Sequence, residues 1–218
     1  MSEREPLVFT PAEQAEEEQF FRRYGPWASL DPAGVRDFMA GFPRPWWLVG
    51  GWAVEAFTGA LREHEDVDLS ILACDVPALR EHVGDAWHLW SNHGGTLRPL
   101  DERFPEPISN ESQIWVRRSA QDPWVIDLPI TPDRDGLWTN KRMPDHVAPV
   151  EDVTWVADDG IRYVNPEIAL LYKAALHRPK DDRDLDRCLP LLSDTATSWL
   201  RDSIARLHPD HAWLGRFS

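Results

Sequence analysis

The chain has 218 residues, 42% of them apolar and 28% charged, with twelve tryptophans; this suits one large or two small soluble domains, long enough to bury a core. A formal net charge of -14 repels polyanions, which argues against nucleic acid as partner and favours cationic ones. Cys74 and Cys188 show neither metal-ligand spacing nor a disulfide framework, no run approaches the roughly 20 apolar residues of a membrane span, and the charged N-terminal stretch MSEREPLVFTPAEQAEEEQF lacks the apolar core of a signal peptide, so a cytoplasmic protein is expected.

Residues 11–25 (PAEQAEEEQFFRRYG) read as an acidic helix ending at Gly25-Pro26, a solvated element or a lid, and are given no catalytic role. Val35 to Ala40 reads as a short helix stopped by Gly41 and Pro43. Trp46 to Val49 is an apolar strand, and Gly50-Gly51 turns the chain into WAVEAFTGAL, where Ala53, Ala56, Phe57, Ala60 and Leu61 share a helical face. Val67, Leu69 and Ile71 alternate with Asp66, Asp68 and Ser70, as in a strand with one buried face. Val76 to Val83 reads as a helix opened by Asp75.

The middle of the chain reads as strand-rich, with candidates at Trp87 to Trp90, Gln113 to Arg118 and Val125 to Thr131. Pro99 to Ser112 is a loop by its proline and acid content, and 153–164 is a hairpin turning at Asp158-Asp159-Gly160. After Asn165, a predicted cap, the stretch PEIALLYKAALHR begins a helical region. Ile168, Leu171, Tyr172 and Ala175 form its buried stripe, with Lys173 at the stripe's edge. Two further helices are predicted around 182–192 and 195–207. The expected organisation is an α/β part over 1–164 and a helical part over 165–218.

The chemistry is concentrated in WWLVGGWAVEAFTGALREHEDVDLSIL (46–72). Residues two apart on a strand point the same way, so Asp66 and Asp68 project side by side, and like charges that close need a cation between them. Carboxylate oxygens are what Mg²⁺ prefers, and it shares them with substrate phosphates. Gly50 and Gly51 lead from strand to helix, where backbone amides and the helix N-terminus bind phosphate. Arg62 precedes the pair and can meet phosphate, whereas His64 reads as a packed, hydrogen-bonded histidine.

These residues resemble the nucleotidyltransferase superfamily of polymerase-β-type fold, and within it the antibiotic nucleotidyltransferases acting on aminoglycosides and lincosamides. Their usual form, G-G-W-x-[VI]-D followed by R-x-H-[DR]-D-[IVL]-D, is met over 46–72. There are two departures: Glu55 stands where aspartate is common, and Glu65 stands at a position often held by aspartate.

The resemblance implies an α+β fold, a mixed nucleotidyltransferase sheet with helices followed by a C-terminal helical bundle. It also implies a third carboxylate on a neighbouring strand. Asp127, centred in WVIDLPI, fits because an aspartate in an apolar strand is costly unless paired or liganded; Asp122, Asp133 and Asp135 are rivals in loops. Asp127 would complete the metal site or act as general base. By the same resemblance Lys173 would reach the triphosphate, and Lys180, Asp181 and Asp184, in the K-D-x-x-D-like segment 178–187, would touch phosphate or acceptor.

The implied reaction moves a nucleoside monophosphate from a nucleoside triphosphate, ATP being expected, to a hydroxyl of a small cationic acceptor such as an aminoglycoside, with two Mg²⁺ ions and pyrophosphate leaving. The alternatives are a toxin-type nucleotidyltransferase acting on RNA or protein, and a catalytically silent nucleotide-binding homologue.

Overall fold

A computed structural model describes residues 4–6 and 10–217. Residues 1–3, 7–9 and 218, which hold part of the charged N-terminal stretch and the end of the helical region read above, lie outside the described residues.

Helix α1 (Pro11–Tyr24) begins with a reciprocal cap: the Glu13 amide donates to Thr10 Oγ1 (3.3 Å) and the Thr10 amide to Glu13 Oε2 (2.7 Å), which satisfies two donors a helix start leaves open. No α1 residue is buried. Its C-terminal end is tied down: the Trp124 indole donates to the Tyr24 carbonyl (2.7 Å), the Tyr24 hydroxyl donates to the Gly95 carbonyl (2.9 Å), and Phe20 and Tyr24 meet the Trp115 ring edge-on at 5.6 and 5.3 Å. Helix α2 (Pro32–Phe38) is capped by Asp31, whose carboxylate accepts from the Gly34 amide.

Strand β1 (Trp47–Leu48) leads into helix α3 (Gly50–Thr58). Strand β2 (Leu69–Ser70) runs antiparallel to β1, and helix α4 (Val76–Val83) follows. A four-stranded antiparallel sheet comes next in space, in the order β4 (Thr96–Pro99), β3 (His88–His93), β5 (Gln113–Arg117) and β6 (Ile126–Pro129). Strands β7 (Asp133–Arg134), β8 (Leu137–Thr139) and β9 (Val147–Ala148) form a small three-stranded sheet. The hairpin of β10 (Thr154–Val156) and β11 (Arg162–Val164) returns to the first sheet, where β11 lies parallel to β1, giving the order β10-β11-β1-β2. Helices α5 (Pro166–Ala174), α6 (Pro179–Cys188) and α7 (Asp194–Leu207) complete the chain.

The two four-stranded sheets are stitched together along β2 and β6. The Asp127 amide donates to Val67 (3.2 Å), the Thr131 amide to Ile71 (2.9 Å) and the Ala73 amide to Thr131 (2.8 Å), with parallel bridges Asp68–Asp127 and Leu72–Thr131. The alternating pattern predicted for 66–71 therefore fails at Ser70, which is buried like Leu69 and Ile71. Its hydroxyl donates to the Pro129 carbonyl and meets the Thr131 hydroxyl, both at 2.7 Å. A strand covered on both faces accepts a polar residue when a partner strand satisfies it.

The main core lies between the sheets and α2–α4, from Val35 and Trp47 to Ile114, Leu128 and Tyr163. A second cluster lies among α5–α7 and takes in Val54 and Met143 from the earlier part of the chain. Two predicted caps are used otherwise. Asp75 makes no capping bond and pairs with Arg44 (3.5 Å), and the Asn165 side chain donates to the Asp152 carbonyl (3.2 Å). In α5, Ala174 is buried where Ala175 was expected.

Candidate active site

The seam between the sheets brings three carboxylates together. Asp66 and Asp68 lead into β2, and Asp127 lies on β6 directly beside Asp68. One oxygen from each of the three lies within 4.8 Å of the others. Asp66 is exposed, Asp68 half-buried and Asp127 buried at 8% exposure. Gln113 Nε2 donates to Asp127 Oδ2 (2.8 Å), while Asp127 Oδ1 is buried without a hydrogen-bond partner. An orphaned oxygen in a cluster of hard donors fits an oxygen-preferring divalent cation. Asp122, Asp133 and Asp135 lie elsewhere. Asp122 accepts from the Ser119 hydroxyl, Asp133 caps the Cys74 and Gly136 amides, and Asp135 sits in a turn with φ 54°.

The electrostatics agree with the crowding. Burial, then the Asp66 charge, pushes the Asp68 carboxyl up to about 7. Asp127 is pushed well above the ordinary carboxylate range by burial, then by Asp68 and Asp66. Asp66 is raised by desolvation of its carboxyl beside the other two acids, although the residue as a whole is exposed, and then by Glu65. Lys141, in the loop after β8, is lowered to about 8 by burial, against the pull of Asp127 and Asp68.

The turn between β1 and α3 closes one side. Gly50 has φ 66°, and a Cβ there would overlap the Asp68 carboxylate; a Cβ on Gly51 would overlap the Arg62 guanidinium. Glycine is thus required twice, for backbone conformation and for close approach. Behind the turn, Glu55 Oε2 accepts from Arg4 (2.8 Å), the Arg62 amide (3.1 Å) and His64 Nε2 (2.9 Å). His64 stacks on Trp52 at 3.9 Å, and burial lowers it to about 4, so it is neutral. His64 is the packed histidine predicted, and the Glu55 departure from the motif is a three-donor anchor.

The predicted phosphate-side residues also converge. A cavity of about 370 Å³ is lined by Gly50, Gly51, Arg62, Lys173 and Lys180 together with the three aspartates. Lys173, expected at an interface edge, is buried at 6% exposure and pairs with Asp184 (2.9 Å) and Asp181 (3.4 Å). Asp181 and Asp184 are themselves buried, at 0% and 1% exposure. Asp181 is held below the usual range despite its burial, chiefly by hydrogen bonds from the Arg178 side chain and amide. Lys180 pairs with Glu65 (2.8 Å) and Arg62 lies 3.7 Å from Asp184.

Sequence reasoning missed Gln113, Lys141 and Arg178. Gln113 could have been found from pairing: it lies two residues before Trp115, whose cross-strand partner is Asp127, so both side chains share a face. Lys141 sits in an irregular loop and carries no local signal.

Residues 33–86 match the family model described as aminoglycoside-2''-adenylyltransferase. No curated protein sequence matches significantly. Among solved structures, ANT(2'')-Ia in complex with adenylyl-2''-tobramycin superposes with a TM-score of 0.50 at 14% identity, over 79% of this chain and 94% of that one. A solution structure of the antibiotic-resistance factor ANT(2'')-Ia gives 0.48 at 16% identity, over 80% and 89%. The chain is therefore similar to the aminoglycoside-2''-adenylyltransferases through its strand–turn–helix–strand segment, and it shares the mixed α+β fold of ANT(2'')-Ia over most of its length.

Proposed function

We propose that the chain is a nucleotidyltransferase that moves a nucleoside monophosphate, from ATP by its family likeness, to a hydroxyl of a small cationic acceptor of the aminoglycoside class. The observation that carries this reading is the convergence of Asp66, Asp68 and Asp127 at a sheet seam beside the Gly50-Gly51 turn. Magnesium held by these three carboxylates would offset negative charge on the phosphoryl oxygens and orient the reacting groups.

The chain's own residues have distinct tasks. The Gly50 and Gly51 amides and Arg62 approach the phosphates. Lys180 reaches them by exchanging its partner Glu65. Lys173 organises the buried pair Asp181 and Asp184 beneath the phosphate side and lines the same cavity. Asp127, with one oxygen oriented by Gln113 and the other unpartnered, accepts the proton of the attacking hydroxyl; a base must sit within hydrogen-bond reach of it.

Pyrophosphate release tests the reading. The purified protein with Mg²⁺ is assayed with each of the four common nucleoside triphosphates against tobramycin, other aminoglycosides and lincosamides. Release that requires both ATP and an aminoglycoside is expected. Background-level release for every pair would reject it.

A further inference from the structure

Beside the carboxylates opens a larger cleft of about 840 Å³, within the size range of small-molecule sites. Asp66, Asp127, Gln113 and Trp115 line its inner part, and α1 lines it with Glu13, Glu16, Glu17 and Phe20. These four recur at three- and four-residue intervals, so α1 turns one face toward the cleft. Glu16 and Glu17 make no hydrogen bond or ion pair with any described residue, whereas Glu13 also serves the helix cap.

Two neighbouring groups at the inner end of this cleft leave polar atoms for a ligand. Asp127, buried at 8% exposure, has Oδ1 without a partner at the inner end. Trp115, at 4% exposure, has an indole N–H that inclines toward Asp127 without completing a hydrogen bond. Unsatisfied buried donors and acceptors call for a polar partner. Helix α6 lends Lys180, Arg183 and Arg187 to the same cleft, so it offers both signs of charge.

We propose that α1 is a wall of the acceptor site, where Glu16 and Glu17, with Glu13, receive the ammonium groups of a polycationic, hydroxyl-rich acceptor while Phe20 and Trp115 meet its apolar faces. This rests on the transferase reading and adds to it a helix that precedes the family-matched residues 33–86. A helix anchored at its aromatic end, whose Glu16 and Glu17 side chains pair with no described residue, has no use for those acids in its own packing. Opposed to a cation they become attractive contacts.

The test is titration of tobramycin into the full-length wild type and the double variant Glu16→Gln/Glu17→Gln, by calorimetry at low and high salt. Glu16 is exposed and Glu17 half-buried, so folding should be unchanged. Losing two charge pairs in a solvent-open cleft should weaken tobramycin binding by about three- to thirtyfold at low salt, less at high salt. Affinity for a non-hydrolysable ATP analogue with Mg²⁺ should stay constant. Tobramycin binding changed by less than about twofold, no tobramycin binding by the wild type, or an equal loss of nucleotide affinity would each overturn the proposal. A protein that binds tobramycin through α1 yet releases no pyrophosphate would keep this inference and reject the transferase reading; normal transfer with an unchanged KM in the variant would do the reverse.

Discussion

Asp68 and Asp127 face each other across the seam that joins the two four-stranded sheets, so the main-chain bonds that unite the halves also press two carboxylates together. Without a cation the arrangement opposes folding, and several consequences are measurable.

The first is a pH dependence of the metal-free protein. Asp68 has a folded pKa of about 7, raised by burial and then by Asp66. A raised folded value binds protons more tightly in the native state, so its stability contribution is complete below the unfolded carboxyl value and lost as pH rises through about 7. The melting temperature of the metal-free protein should fall between pH 5.5 and pH 8, roughly these bounds bracketing that transition. Magnesium should restore it at the upper pH. The Asp68→Asn variant should melt at least about 2 °C higher than wild type at pH 8 without metal, and should lose the magnesium response. A scanning fluorimetry series with and without chelator reads all three.

The second separates chemistry from binding. Asp127→Asn should lower turnover about 10²- to 10⁴-fold, the usual contribution of a positioned base. Nucleotide affinity should be largely retained, since Asp66 and Asp68 remain. A loss below about tenfold would assign the proton to another group.

The third concerns Lys173, which is enclosed by Asp181 and Asp184. Lys173→Ala strands a buried carboxylate, which costs about 3–5 kcal/mol, toward the lower value because Arg178 still holds Asp181. The melting temperature should drop by about 6–20 °C. The triple variant Lys173→Met/Asp181→Asn/Asp184→Asn should recover most of that drop, and calorimetry with the ATP analogue on this folded protein then measures the lysine's share in nucleotide binding.

The fourth is Gly50→Ala. The left-handed conformation costs a residue with a Cβ about 1–2 kcal/mol, and the new methyl must displace the Asp68 carboxylate. Magnesium stabilisation should weaken more than the small fall in melting temperature accounts for. An unaltered magnesium titration would show that the turn tolerates a side chain.

Much of the site was legible because its parts are local. Gly50-Gly51 and Asp66-x-Asp68 lie close together in one segment, and local start and turn signals placed the helix at Val76–Val83 and the hairpin of β10 and β11. Asp127 was reached through the resemblance, which calls for a third carboxylate, and was singled out by its cost in an apolar strand. The misses are long-range. Ser70 is buried because β6 lies beside it, Lys173 because α6 supplies two acids, and Gln113 reaches Asp127 because β5 pairs with β6. Pairing between distant strands leaves no periodic trace. The short sheet β7–β9 was missed because strands of two or three residues are too brief for alternation to register.

The parallel pairing of β1 with β11 has a consequence for how the chain is made. The antiparallel sheet β3–β6 is built from strands within one stretch of chain and can form early, but β1 must wait for a strand that ends at Val164 to complete its sheet, and such distant pairings are slow. During synthesis, the polypeptide leaving the ribosome carries Asp66, Asp68 and Asp127 well before it carries the strand that completes their sheet. The sheet that carries the candidate site is therefore completed only after Val164 has been made. A nascent chain arrested short of Val164 would hold every proposed metal ligand, yet expose the apolar edge of β1 to chaperones and to other chains.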